Sequence, residues 1–371
     1  MTLVESREEV PRKQPPNVSI GILAYNEEGR IAATLRSLLC QSVFLNTSHR
    51  QLVGRVEIVV VPNGCTDQTE AVALSELAAQ AGTLELEWLS FHVVPLIQPG
   101  KSRAWNCYIH DIANPDTDFF VMIDADIEFG HPDTLANSIR LLSESSTADV
   151  VVDTPLKDFA RKPRKSALEW LSLRISSTTL ADPQRAAIAG SFYCARAKVL
   201  KSIWMPPGLS GEDGFLRALV VTDLCRSSPE NYKVIRAINA SHYFEGLKSL
   251  RAIFLHEVRL IIGTTFNCYL TWDFLIFAVP KDSKGAGDLI RRLIESDPHW
   301  YERFINNQIQ SRGWWKLPNG MFLRRFRRVH GKKGKELLVH YFIASVTFLV
   351  DVPTLLYANH LISKRRAIGF W

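Results

Sequence analysis

Four runs that read as strands, three of them stopped by a polar cluster and each followed by a helical period, constrain this chain more than any other feature. Residues 18–25 (Val-Ser-Ile-Gly-Ile-Leu-Ala-Tyr) end at Asn26-Glu27-Glu28, and Ile31, Leu35, Leu38 and Leu39 then recur at helical spacing. Residues 56–61 stop at Pro62-Asn63-Gly64, with Asp67 and Glu70 at capping-box distance for the next helix. The pattern predicts a third strand over 84–94, a third helix over 101–112, and a fourth strand over 119–123 closed by Asp124-Ala125-Asp126. Pro132 is placed to open another helix, and 149–152 restarts a strand. Strands apolar on both faces and alternating with helices imply an α/β fold with a mostly parallel twisted sheet covered on both sides. In such sheets ligands sit beyond the strand C-termini, where these polar clusters fall.

Other features narrow the class. There is no GxGxxG after the first strand and no GxxxxGK[ST], which disfavours a dinucleotide-binding domain and a P-loop. With 46% hydrophobic residues over 371 positions, the chain has ample material for a core. The six cysteines (40, 65, 107, 194, 225 and 268) are scattered with no CxxC pair, which fits a reducing compartment, and residues 1–16 lack the apolar run of a signal peptide. The net charge of +6 is local: residues 303–335 carry ten Lys/Arg and no acid, leaving about −4 elsewhere.

Asp124 and Asp126 at a strand end can share one hard cation, and Mg²⁺ or Mn²⁺ bound there is commonly shared with substrate phosphates. Such a bare tripeptide also occurs as a solvated, helix-capping loop; its place after Phe-Phe-Val-Met-Ile favours the cation. The series Ile22-Leu-Ala-Tyr-Asn-Glu-Glu28, Val59-Val-Val-Pro-Asn-Gly-Cys-Thr-Asp67, Gly100-Lys-Ser-Arg-Ala-Trp-Asn106, Met122-Ile-Asp-Ala-Asp126 and Gly211-Glu-Asp-Gly214 resembles the family 2 glycosyltransferases of GT-A fold, over roughly residues 18–263.

That resemblance implies an inverting, metal-dependent transferase using a nucleotide-sugar donor and Mn²⁺ or Mg²⁺. By motif, Tyr25, Asn26, Glu27 and Asn63 line the nucleoside, with Asp67 in the same pocket or only capping a helix. The family often has Asp where Pro62 or Asn63 stands, which puts UDP as the carrier in question. Lys101 and Arg103 fall where the family has a basic residue near the donor, and Gly190-Ser191 where it has a Gly-rich loop. Asp124 is expected near ribose and cation, Asp126 on the cation, and His242 as third ligand with His256 in reserve. Glu212 and Asp213 match the catalytic acid pair, with Asp213 as general base. Arg259 lies in a His256-Glu-Val-Arg259-Leu260 stretch spaced like the QxxRW signature of processive synthases. His for Gln and Leu for Trp point to transfer of a single sugar, with Arg259 on the diphosphate.

Three regions are expected: an N-terminal arm (1–17), a GT-A catalytic domain (18–245) and a helical, basic and apolar C-terminal region (246–371). Residues 155–190 read as helical and basic, and 252–279 as long and apolar. Arg324-Arg325-Phe326-Arg327-Arg328, Lys332 and Lys333 precede an apolar run over 337–350, interrupted at Asp351 and Pro353, with Lys364-Arg365-Arg366 beyond. No nucleic-acid module accompanies these cations; between a solvated helix face and an anionic lipid surface the lipid is the favoured partner, with Trp314, Trp315 and Trp371 at interfacial depth. A span over 337–359 is long enough, but His340, Asp351 and Pro353 favour an interfacial or re-entrant element. The expected enzyme is cytoplasmic, peripheral or monotopic on the inner membrane face, with a glycan or lipid-linked acceptor. The alternative is a non-catalytic sugar-nucleotide or lipid-binding partner in a glycan synthesis complex.

Overall fold

A computed structural model gives the fold; it describes residues 14–81, 87–166, 169–170, 173, 186–247, 249–329 and 333–365. Most of the expected arm (1–13), together with Lys332, Arg366 and Trp371, lies outside the described residues.

The first strand, β1 (Val18–Ala24), is buried along its whole length and pairs in parallel with β2 (Val56–Pro62) and β4 (Phe119–Asp124). The third strand, β3 (Leu89–Val93), lies parallel to β2 at the edge and is shorter than the 84–94 expected, whose residues 84–86 fall outside the described part. The register sets Ala24 opposite Pro62 and Leu23 opposite Asp124. Three strand ends with their polar clusters therefore reach the same edge.

The sheet is mostly parallel, as expected, and becomes mixed beyond β4. The order is β3-β2-β1-β4-β7-β6-β8-β5. The strand β7 (Phe192–Arg196) runs antiparallel to both β4 and β6 (Val150–Lys157), while β8 (Val234–Phe244) is parallel to β6 and antiparallel to the short β5 (Glu128–Phe129). The 155–190 stretch is not helical at its start: β6 continues through Lys157 into a single 3₁₀ turn at Asp158–Arg161, and residues 174–185 lie outside the described part. Thr154 to Lys157 pair with Ser241 to Phe244, and these tertiary partners outweigh the local polarity that reads as helix.

Helices cover both faces. On one, α1 (Ile31–Leu39), α2 (Thr69–Ala81) and α4 (Thr134–Glu144) pack on Ile20, Ile22, Ile58, Val60, Val121 and Ile123. The start of α4 is two residues past the expected Pro132. On the other face, Val59, Val61, Phe120 and Met122 meet α3 (Lys101–Cys107), which runs on as a π-helical turn over Tyr108–Ile112, and α5 (Glu212–Val221). The same cluster takes in Val258, Ile261, Ile262 and Phe266 of α6 (Leu250–Asn267), Ile290 of α7 (Ala286–Ser296) and Ile305 and Ile309 of α8 (Trp300–Ser311). It ends on Leu355, Ala358, Leu361 and Ile362 of α9 (Gly334–Ser363). Burying each such side chain contributes about 1.5–3 kcal/mol, so the C-terminal helices are built into the core beside the sheet.

The basic and apolar tail is arranged differently from its sequence pattern. Arg324 and Arg325 turn inward: both donate to Asp351, at 2.7–2.9 Å, and to Glu257 of α6, at 2.8 and 3.0 Å. These two cations are therefore not presented to a lipid surface. Asp351, fully buried, is neutralised by the pair, and α9 bends by 42° between Leu349 and Asp351. Leu250–Ala278 is long and apolar enough to cross a membrane, but half of its apolar window is buried inside the protein.

Candidate active site

Alternation along β4 puts Asp124 on the face of Phe120 and Met122, which carries α3 and α5. Lys101, at the first position of α3, meets it there. Its ammonium lies 2.9 Å from Asp124 Oδ1 and 3.1 Å from Glu212 Oε1. Burial pulls the Lys101 pKa down, but Asp124 and Glu212 more than reverse this, so the amine stands above the ordinary lysine value. One charge thus ties the end of β4 to the start of α5, 88 residues further along the chain.

Asp213 shares the pocket with Lys101, Asp124, Glu212 and Gly190, over an apolar floor of Trp105 and Leu216. Burial, and next the Glu212 carboxylate, push the Asp213 pKa up; the Gly214 N–H, donating at 2.7 Å, and Lys101 oppose them. Gly211 caps α5 at φ +74°, a left-handed conformation suited to glycine, and its carbonyl accepts from Asn267 Nδ2 of α6 at 2.6 Å. A Cβ on Gly263 of α6 would stand 3.3 Å from the Gly211 Cα, so the helices touch where the acidic pair begins. Gly190 faces the same charges: a Cβ there would lie 3.2 Å from Lys101 Nζ. The neighbouring Ser191 carbonyl accepts from the Asp124 N–H at 3.0 Å.

The loops after β1 and β2 are laced together beside this pocket. Asn26, at φ +55°, accepts from the Thr66 N–H at 2.8 Å, and Tyr25 next to it is 53% exposed. Asn63 is buried, with Nδ2 donating to Ala24 O at 2.8 Å and Oδ1 accepting from Gly100 N–H at 3.1 Å. It sets the loop that delivers Lys101. Asp67 accepts from Thr69 N–H and hydroxyl and from Glu28 N–H. Burial raises its pKa, but these bonds win and leave it low. Asp67 therefore fastens the helix start to the first loop.

Asp126 continues the acidic line and lies 3.5 Å from Arg30 Nη1. Burial and then Asp124 raise the Asp126 pKa. Glu27 is raised further, to about 7, by burial and then Asp126, with Arg30 opposing and Asp124 and Asp67 adding. Such mutual repulsion makes the edge a place where added positive charge is stabilising. The expected third ligand has an acidic partner of its own. His242 is fully buried on β8, with Nδ1 2.8 and 2.9 Å from the Asp153 carboxylate oxygens. Among the described residues no three His, Cys, Asp or Glu side chains form a metal-holding group.

Arg103 is exposed on α3, one helical position past the buried Ser102. His256 and Arg259 are exposed on α6, and Arg259 is one turn before Gly263 on the same helix face.

The profile of Glycosyl transferase family 2 matches residues 19–204, half of the chain. This chain belongs to that family. It is a sugar-transferring enzyme by membership, and the matched span holds β1, β2, β4, Lys101, Asp124 and Asp126. No curated protein matches it. Among solved structures it is similar to glucosyl-3-phosphoglycerate synthase from Mycobacterium tuberculosis in complex with Mn²⁺, UDP and phosphoglyceric acid. That pair shares 18% identity at a TM-score of 0.45, over 68% of this chain and 78% of the synthase. The same synthase with Mn²⁺, UDP-glucose and phosphoglyceric acid gives 20% identity and a TM-score of 0.45, over 68% and 80%.

Sequence reading overlooked Arg30. The signal was present: a cation at the N-terminal end of a helix opposes the macrodipole and needs an acidic partner from elsewhere.

Proposed function

We propose that this glycosyltransferase is a metal-dependent inverting enzyme moving one sugar from a nucleotide-sugar donor to the hydroxyl of a lipid-linked or membrane-proximal glycan acceptor. The observation that carries the reading is the meeting of Asp124 with Glu212 and Asp213 around one lysine at the sheet edge. The carboxylates of Asp124 and Asp126 suit Mn²⁺ or Mg²⁺, which take oxygen ligands and keep positions for phosphate and water, so a third protein ligand is not required. A bound cation supplies neutralisation of the departing nucleoside diphosphate. The protein's own part is to place the groups. Tyr25, Asn26 and Glu27 border the nucleoside, and Lys101 brings positive charge to the donor's leaving side. Asp213 takes the acceptor hydroxyl proton as that oxygen attacks the anomeric carbon in line. Its raised pKa makes it a stronger base than a solvated aspartate.

A membrane-proximal acceptor is supported by the first half of α9. Leu338, Phe342, Val346 and Leu349 are all exposed, at i, i+4, i+8 and i+11 along one face, with exposed Lys333 and Lys335 beside them. An anionic bilayer offers both an apolar layer and negative headgroups to such a surface. All six cysteines are free, which supports the cytoplasmic face.

The test is metal-dependent hydrolysis and transfer over a panel of nucleotide sugars. Turnover requiring Mn²⁺ or Mg²⁺, lost in Asp213→Asn with donor binding kept, supports the assignment. Donor binding without turnover in the unmutated chain, with every acceptor fraction from a membrane extract, would return the chain to a binding role.

A further inference from the structure

Each carboxylate of the Asp124–Asp126 pair already has a cation from a different element. Lys101 of α3 holds Asp124 Oδ1 at 2.9 Å and Glu212 at 3.1 Å. Arg30, which precedes α1, lies 3.5 Å from Asp126 Oδ2 and donates its other terminal nitrogen to Glu245, in the connection from β8 to α6. The side chains are accessible, at 28% for Lys101, 42% for Arg30, 27% for Asp124 and 32% for Asp126. Neither cation is locked in the core, and each is long enough to change partner.

We propose that Arg30 and Lys101 are resident counter-ions of the acidic pair, exchanged on loading: the incoming divalent cation takes over Asp124 and Asp126, and the two side chains pass to the diphosphate that arrives with it. This rests on the metal–diphosphate reading above and adds Arg30 as a positioning residue for the donor. The charge pattern explains why the exchange favours the ion-paired ligand. A divalent cation alone is repelled by Arg30 and Lys101, and a diphosphate alone is repelled by the carboxylates. Arriving together, each finds its opposite, and the guanidinium fork suits phosphate oxygens bidentately. Glu245 is the third party: it keeps Arg30 partly away from Asp126.

Calorimetry or Mn²⁺ electron paramagnetic resonance on the full chain separates the possibilities, with Mn²⁺ alone and Mn²⁺ with inorganic pyrophosphate as probes. Arg30→Gln is expected to bind Mn²⁺ alone about fivefold more tightly, and pyrophosphate in the presence of Mn²⁺ about fivefold more weakly. Arg30→Lys is expected to restore the order of the unmutated chain. Glu245→Gln, which removes the partner that draws Arg30 away from Asp126, is expected to weaken binding of Mn²⁺ alone. Arg30→Gln that weakens both ligands, or moves neither, overturns the proposal, and so does Glu245→Gln that tightens Mn²⁺. If Arg30→Gln does not fold, the Glu245→Gln result decides. Mn²⁺ binding that is lost in Asp126→Asn while these variants behave like the unmutated chain sinks the exchange and leaves the cation site standing. Absence of Mn²⁺ binding in the unmutated chain, even with pyrophosphate, removes the site itself.

Discussion

Asp213 and Glu27 show how one edge of a sheet assigns different properties to like side chains. Burial and Glu212 raise Asp213, so the reactive carboxylate is present only above a pKa higher than that of a solvated aspartate. The rate should therefore rise with pH through that raised value. Asp213→Asn should lower turnover by about 10³-fold while leaving donor affinity within a few-fold, measured by single-turnover kinetics and calorimetry. Glu27, at about 7, gives a second sign to check. Its folded pKa lies above its unfolded value, so its contribution to stability is present below the unfolded pKa and is lost as pH rises through about 7. Glu27→Gln should match the unmutated chain near pH 4 and melt higher at pH 8. The gain should be about 1 kcal/mol, because the partly exposed group is screened. Equal melting temperatures at pH 8 would show that Glu27 feels no such repulsion. Residue types at this scale were legible in the sequence: Asp124 ends β4, and Glu212 and Asp213 open α5. Their partners were not, since Lys101 joins Asp124 to Glu212 only through three-dimensional proximity.

At the scale of elements, α6 supports the site by packing as well as by the side chains its sequence singles out. Its Gly263 and Asn267 lie against Gly211, so this long, apolar helix sets the entry of α5. Gly263→Val should force Gly211 aside and cut turnover by more than tenfold, while costing only about 1–3 kcal/mol of stability. Denaturant unfolding beside kinetics distinguishes this from general loss of fold. Glu257, on the same helix, joins Arg324, Arg325 and Asp351. Asp351→Ala leaves two partly buried guanidinium groups to share Glu257 alone and should cost about 3 kcal/mol. Arg324→Gln should cost less, because Arg325 still neutralises the acid. A cost for Asp351→Ala no greater than that for Arg324→Gln would show that Asp351 is not the centre of the cluster.

At the scale of the molecule, α9 belongs to two environments. Its second half is core, with Leu355, Ala358, Leu361 and Ile362 buried beside residues of the sheet, and its first half presents an apolar face outward. Removing 303–371 would therefore open the core as well as strip the surface helix, so point changes are the proper probe. Leu338→Glu with Phe342→Glu should abolish flotation with anionic vesicles and leave donor binding and the melting temperature nearly unchanged. Unaltered flotation would place membrane contact elsewhere. Salt should weaken the association, because Lys333 and Lys335 act through screened charge.

The sequence by itself determined the periodicities, hence which stretches become strands, which faces are buried and where acids stand at strand ends. Each of those follows from a repeat of two or 3.6 residues and the sterics of nearby positions. The tertiary structure alone decided the antiparallel insertion of β7, the strand character of Thr154 to Lys157, the pairing of His242 with Asp153 and the inward turn of Arg324 and Arg325. In each case the stabilising partner is remote along the chain, and a buried charge or an unpaired backbone is costly until that partner arrives. A basic run reads the same whether it meets water, lipid or a buried aspartate. Only the fold brings Asp351 to it.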